Sequence, residues 1–176
     1  MAINEWVALL RGVNVGGITV RSTDLRELFE SAGYSGVRTV LASGNVLFSS
    51  DKGAATLKPA IERALRDRFG YEAWIVLVSM DAVRAAIDAF PFDASDPSRQ
   101  PWVIFGSDDD ILEELADAAA SMDQGVDPVA RGKGVLYWNP VKGTTVDTPF
   151  GKLLGRKTYK ATTTNRNLRT LQKIVG

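Results

Sequence analysis

Hydrophobic and polar positions in the first half of the chain alternate between a helical period and a strand-like period. Apolar residues three and four apart, such as Leu25, Leu28 and Phe29, predict helices, and Gly33 and Gly70 stand where two helices would end. Short apolar runs predict strands. The last run is continuously apolar, so we expect it to be central in its sheet or buried on both faces. The predicted strands are Trp6–Leu10, Val37–Leu41, Asn45–Phe48 and Ala73–Val78.

A third helix is predicted after Ser79, a residue type that caps helix N-termini, and Pro91 would end it. The polar segment 93–101 contains two prolines and predicts a linker. We therefore expect a first subdomain at residues 1–92 and a second at residues 102–176.

The second half repeats the same order of elements. Its predicted strands are Trp102–Phe105, Asp127–Arg131, Val135–Trp138 and Lys160–Thr163, and its predicted helices follow Ser107 and span Phe150–Leu154 and Asn165–Val175. The order β-α-β-β-α-β is that of the ferredoxin-like unit. We expect an α+β fold of two ferredoxin-like subdomains, each with an extra helix at its end, packed together because a unit of about 80 residues has a marginal core.

Composition narrows the chemistry that this chain can perform. It has 176 residues with no cysteine and no histidine, which excludes disulfides, Cys or His metal sites and histidine-based nucleophilic relays. The hydrophobic fraction of 45% is ordinary for a globular protein. The apolar runs are too short to span a bilayer and the first residues lack a signal-peptide pattern. We expect a cytoplasmic protein without a membrane partner, a metal or a cofactor.

The formal net charge of zero hides a strong asymmetry along the chain. Residues 91–130 hold one basic and ten acidic residues, and residues 131–176 hold ten basic and one acidic. This pattern indicates either an anionic partner or two segments that neutralise each other, with 93–127 as the acidic one. Asp108–Asp110 follow the predicted Ser107 cap, where carboxylates stabilise a helix N-terminus, so a structural role explains much of the acidic segment.

The basic segment suggests a binding surface. On the predicted final helix, Arg166, Arg169 and Lys173 share the side opposite the apolar residues. Arg166 would lie in the first turn beside Thr163 and Thr164, where free amides, hydroxyls and a guanidinium form an oxyanion site. A salt bridge to the acidic segment, or simple solvation, is the alternative. Further cations lie upstream at Lys152, Arg156, Lys157 and Lys160.

A glycine-rich segment, 11–19, follows the first predicted strand. Its glycines at 12, 16 and 17 do not match the dinucleotide fingerprint. The segment is closer to the phosphate-binding P-loop, but Ile18 stands where that loop needs lysine, so a nucleoside triphosphate site is not expected. Glycines allow a tight loop with close backbone approach, and Arg11 and Asn14 leave room for a polar ligand.

Four motifs resemble the domain-of-unknown-function 1697 family. They are Leu9–Gly17, Ser43–Phe48, Phe90–Phe92 and the segment Thr164–Asn167 followed by Thr170 and Leu171. The resemblance covers nearly the whole chain. It implies a fold of two α+β subdomains and implies no activity.

The polar residues of these motifs stand in predicted loops and at a predicted helix start, where binding residues concentrate, although turn and capping duties would also explain them. The candidate ligand-binding residues are Arg11, Gly12, Asn14, Gly16, Gly17, Ser43, Gly44, Asn45, Thr164, Arg166, Asn167 and Arg169. We expect a phosphate-bearing or other anionic small molecule, or nucleic acid, as the partner. A small enzyme acting on an anionic metabolite between the subdomains, with catalytic residues unknown, and a protein-interaction module are the alternatives; the oligomeric state stays open.

Overall fold

The computed structural model describes residues 2–11, 19–41 and 44–176, and the fold is mixed α+β. The first part of the chain forms β1 (Asn4–Arg11), α1 (Ser22–Ser31), β2 (Ser35–Val40), β3 (Asn45–Ser50), α2 (Ala54–Phe69), β4 (Trp74–Ser79) and α3 (Met80–Asp88). Its strands form a four-stranded antiparallel sheet in the order β2-β3-β1-β4. Gly33 and Gly70 follow α1 and α2 with positive φ, as predicted for helix ends.

The rest of the chain repeats this order. Its elements are β5 (Trp102–Gly106), α4 (Asp109–Ala119), β6 (Val129–Arg131), β7 (Val135–Trp138), α5 (Pro149–Leu154), α6 (Lys157–Lys160), β8 (Thr163–Asn167) and α7 (Leu168–Val175). The second sheet has the order β6-β7-β5-β8, which corresponds strand by strand to the first. Among the residues that the structure describes, every helix is too short or too polar to cross a membrane.

The chain divides into two compact units. One comprises the residues up to Val83 together with Lys173–Gly176, and the other is Arg84–Gln172. The polar segment 93–101 lies in the second unit and forms neither a helix nor a strand. Arg99 anchors it there by donating to the backbone carbonyls of Gly125 at 2.8 Å and Asn139 at 3.2 Å.

The core of the first unit lies between the sheet and helices α1 and α2. Strand β1 is central and its residues Val7–Leu10 are buried. Strand β4 was expected to be central in its sheet or buried on both faces. It is not central, because it is an edge strand with β1 as its neighbour; the consecutive residues Ile75 and Val76 are buried on the two faces, but Trp74 is 44% exposed. Apolar side chains report burial above and below a sheet and do not report how many strands flank the segment.

Two predictions near the C-terminus are also wrong. Lys157–Lys160 forms the helix α6, so the predicted strand Lys160–Thr163 starts too early, and the final helix begins at Leu168 and not at Asn165. The intervening segment 163–167 pairs with β5, with Thr164 opposite Phe105 and Arg166 opposite Val103. Pairing with a strand distant in sequence has overridden the local pattern of capping residues.

The helix starts confirm one predicted cap and correct another. The backbone amide of Ala82 donates to Ser79 Oγ at 3.1 Å, as predicted for the start of α3. The cap of α4 is Asp108 and not Ser107, because the Ile111 amide donates to Asp108 Oδ1 at 2.9 Å. Aspartate accepts this bond as well as serine does, and its charge also favours the helix N-terminus.

Candidate anion-binding site

The candidates of the first unit meet at one end of its sheet. Arg11 is the last residue of β1, and Gly44 and Asn45 lead into β3. The Leu10 amide donates to the Gly44 carbonyl at 2.9 Å, which holds the start of β3 against the end of β1. The other candidates of this unit lie outside the described residues: Gly12, Asn14, Gly16, Gly17 and Ser43.

Arg11 is a half-buried cation whose side chain is incompletely satisfied. Its Nε atom is buried and reaches no hydrogen-bond acceptor among the described residues. The ion pairs within the described part of the chain, such as Arg26–Glu30 and Arg68–Asp24, do not include it. Burial lowers the pKa of Arg11, because desolvation penalises the charged form. The guanidinium nevertheless stays charged at neutral pH, and an anion is the natural acceptor for its Nε donor.

An aromatic ring stands opposite Arg11, and a second arginine lies over that ring. The strand register places Trp74 of β4 directly opposite Arg11, so the two side chains leave the same face of the sheet. The Arg66 guanidinium lies over the Trp74 ring at 5.7 Å from the centroid, and Arg66 Nη2 donates to the Ala73 carbonyl at 3.2 Å. Trp74 and Arg66 were not predicted from the sequence, because their contact depends on how α2 packs against β4.

Asn45 has a structural role in this region. It is 3% exposed, and its Nδ2 donates to the Val40 carbonyl at 2.9 Å. This bond closes the connection between β2 and β3, where Leu41 has a φ of +52°. The turn role that was the alternative for this asparagine is therefore observed.

The candidates of the second unit lie on β8 and at the start of α7. Arg166 belongs to the strand, so its predicted position in the first turn of the final helix is wrong. Its Nη1 donates to Thr164 Oγ1 at 2.6 Å and to the Asn165 carbonyl at 2.9 Å. Asn167 Oδ1 accepts a hydrogen bond from the Arg169 backbone amide at 2.9 Å. This bond occupies one of the helix-start amides that the predicted oxyanion site required. Arg169 itself is exposed.

The acidic segment is largely accounted for within the second unit. Arg131 pairs with Asp109 and Glu113, each at 3.4 Å. Asp93 and Asp96 accept hydrogen bonds from Ser95 and Ser98, which lower the pKa of each carboxyl. Glu114, Asp108 and Asp127 have further structural hydrogen bonds.

The basic segment is only partly neutralised. Four exposed cations surround α5 and α6, and within the described residues the ion pairs include none of them. These four residues, Lys152, Arg156, Lys157 and Lys160, form the α5–α6 basic surface. Each helix buries an aromatic side chain of its own, Phe150 in α5 and Tyr159 in α6. The cations therefore project from an ordered part of the unit.

Metal binding finds no support in the described ranges, which contain no cluster of three acidic side chains suited to hold an ion. The described residues at the Arg11 end of the sheet supply guanidinium groups and an aromatic ring. These groups bind and orient anions.

The comparisons with known proteins confirm the family resemblance. The model of the family described as "Protein of unknown function (DUF1697)" matches residues 3–137. A solved structure of the conserved bacterial protein SP0830 from Streptococcus pneumoniae is similar, with a TM-score of 0.82, 24% identity, and coverage of 99% of this chain and 98% of that one. It shows that the two proteins share a fold over their whole lengths.

A second solved structure is much less similar. An unknown protein from Galdieria sulphuraria gives a TM-score of 0.29 at 13% identity, with 99% of this chain and 88% of that chain covered. No curated protein matches the chain.

Proposed function

Because this chain belongs to the DUF1697 family, whose description assigns no activity, we propose a function from the geometry: the protein binds a phosphate-bearing or other anionic ligand at Arg11. The observation that carries the proposal is the buried Nε of Arg11, which has no acceptor in the part of the chain that the structure describes. A buried donor of a charged group costs stability unless a partner satisfies it.

The chemistry of arginine favours this ligand class. A guanidinium presents its donors in a planar fork that matches phosphate and carboxylate oxygens in pairs. Arg11 ends a buried central strand, and its backbone pairs with Trp74 of β4 while the side chain stands at the end of the sheet. A rigid strand that ends beside loops is a typical setting for a binding residue.

The test measures the melting temperature in inorganic phosphate against sodium chloride at equal ionic strength. Phosphate should raise the melting temperature of the wild type, since a ligand that binds only the folded state stabilises it by mass action. The increase should disappear in Arg11→Ala and be smaller in Arg11→Lys, which keeps the charge without the fork. Arg63→Ala, which removes an exposed arginine of α2, is the matched control and should respond like the wild type.

Circular dichroism must first show that Arg11→Ala is folded; calorimetric titration of the folded variants then gives the affinity directly. The proposal is wrong if phosphate stabilises Arg11→Ala as much as the wild type, or stabilises neither protein more than chloride does.

A second candidate function is nucleic-acid binding at the α5–α6 basic surface. Its support is that these four exposed cations have no ion-pair partner among the described residues. Binding should weaken steeply with salt, with a logarithmic slope of about 0.9 per phosphate contact on duplex DNA. Removing two of the cations, as in Lys157→Ala with Lys160→Ala, should reduce that slope by about 2, and Lys133→Ala with Lys142→Ala is the control. An unchanged slope would exclude this surface.

Two finer predictions belong with the proposal. Each unit is proposed to be ferredoxin-like, which is supported by the order β-α-β-β-α-β and by the first strand lying between the third and the fourth. A cytoplasmic location stays a prediction from composition. The small-enzyme and interaction-module alternatives also stay predictions.

A further inference from the structure

Trp74 is a large apolar side chain exposed beside a cation. It is 44% exposed, although it opens a strand whose next two residues are buried. Arg66 lies over its ring and is held in place by its bond to the Ala73 carbonyl. The ring is therefore oriented by the fold and still accessible to a ligand.

We propose that Arg11, Trp74 and Arg66 bind a nucleotide unit, with the base stacked on Trp74 and the phosphate on Arg11. This inference rests on the proposed function, because it assigns the anion at Arg11 to the phosphate of a nucleotide. A free nucleotide and one residue of a single-stranded nucleic acid present the same base and phosphate.

The spacing of Arg11 and Trp74 suits this ligand. Arg11 and Trp74 are directly opposite on neighbouring strands, so their Cβ atoms are about 4.5–5.5 Å apart. Their side chains leave the sheet side by side, and a nucleotide likewise presents a planar base and a phosphate joined through one sugar. A simple anion would use Arg11 and leave the exposed ring without a role.

The aromatic ring provides affinity that does not depend on the identity of the base. Every base has a π-face, and stacking on an aromatic side chain accounts for roughly 5- to 150-fold in affinity by alanine substitution. Arg66 lies at cation–π distance from the ring, which orients the tryptophan and brings a positive charge to the stacking side chain. The tryptophan and the two arginines combine stacking with charge, as in sites that bind single-stranded nucleic acids.

The experiment compares the dissociation constants of adenosine 5′-monophosphate, adenosine and inorganic phosphate by calorimetry. The wild type should bind adenosine monophosphate roughly 5- to 150-fold more tightly than phosphate. Trp74→Ala should lose that difference and keep its affinity for phosphate, while Trp74→Phe should keep most of the difference because it retains a ring. Binding should also quench tryptophan fluorescence in the wild type and leave the emission of Trp74→Phe nearly unchanged.

The variants separate the two proposals. If phosphate binds through Arg11 and the base adds no affinity, or if Trp74→Ala retains the difference, the nucleotide inference is wrong and the anion proposal stands. If Arg11→Ala binds phosphate as the wild type does, or if phosphate and adenosine monophosphate both fail to bind, both proposals are wrong.

A short single-stranded deoxyadenosine oligonucleotide identifies the source of the nucleotide unit. Tighter binding of the oligonucleotide than of the monophosphate indicates a nucleic-acid strand, and equal binding indicates a free nucleotide. Both results support the inference only if Trp74→Ala weakens binding; an oligonucleotide affinity unchanged by Trp74→Ala and Arg11→Ala contradicts it.

Discussion

Asp127 is a buried carboxylate that joins two elements of the second unit. It is 1% exposed, and it accepts from Trp138 Nε1 of β7 at 2.7 Å and from the Phe150 amide at the start of α5 at 2.8 Å. Asp127→Ala removes both acceptors and leaves two donors inside the core. We therefore expect this substitution to destabilise the protein more than the loss of an exposed carboxylate does.

The magnitude follows from the two orphaned donors. An unsatisfied buried donor costs about 1–3 kcal/mol, so the pair costs about 2–6 kcal/mol. Removing a buried charge returns part of its desolvation cost, which places the expected loss for Asp127→Ala at about 2–4 kcal/mol. Asp127→Asn keeps one acceptor oxygen and directs an amino group at the other donor, so we expect about 1–3 kcal/mol.

Urea unfolding followed by far-ultraviolet circular dichroism measures the free energy of unfolding, provided that the urea slope is the same in all variants. Asp117→Ala removes an exposed carboxylate of α4 and should change the free energy by less than about 0.5 kcal/mol. In a Trp138→Phe background, Asp127→Ala should cost less, because one of the two donors is already absent. The prediction is wrong if the free energies of unfolding of Asp127→Ala and Asp117→Ala differ by less than about 1 kcal/mol.

Two further predictions concern the α5–α6 region. Gly151→Ala should destabilise the fold by more than about 2 kcal/mol, because a Cβ at this position would overlap the Thr145 carbonyl. Gly155→Ala is the control, since a Cβ there meets only ordinary contacts. Thermal denaturation should give a much lower melting temperature for Gly151→Ala than for Gly155→Ala, and equal melting temperatures would contradict this prediction. The hydrogen bond to Glu114 raises the pKa of Tyr159, so the unfolded state releases the phenolic proton at a lower pH than the folded state does. The contribution of this hydrogen bond to the free energy of unfolding is therefore present below about pH 10 and decreases as the pH rises further. Alkaline unfolding should be less steep in Tyr159→Phe, and an identical pH profile would contradict this.

The order of elements was predictable because most of them carry a local signal. Both sheets draw their inner strands from short apolar runs, and Gly33 and Gly70 end helices with the positive φ that glycine accommodates. The failure at residues 160–167 has a local cause. Threonine and asparagine cap helices, threonine also favours strands, and pairing with β5 decides between the two roles.

The candidate site was predictable only in part. A glycine-rich segment after a strand identified Arg11, but the sequence cannot show that its Nε is buried without an acceptor in residues 2–11, 19–41 and 44–176. The proximity of Arg66 to Trp74 depends on how α2 packs against β4. Arg166 was chosen for its place on a helix, and in the structure it lies on a strand with donors directed at Thr164 and Asn165.

Salt should weaken the two proposed binding modes to different extents, because the cations of the α5–α6 basic surface are exposed and Arg11 is half buried. On α4, Glu114 accepts a hydrogen bond from Tyr159 of α6, so a negative helix adjoins the α5–α6 basic surface. A polyanion at that surface contacts exposed cations, and salt screens such contacts strongly. Arg11 is half buried at the end of a sheet, where screening is weaker. An anion that remains bound in high salt therefore indicates Arg11, and one that is released steeply indicates the basic surface.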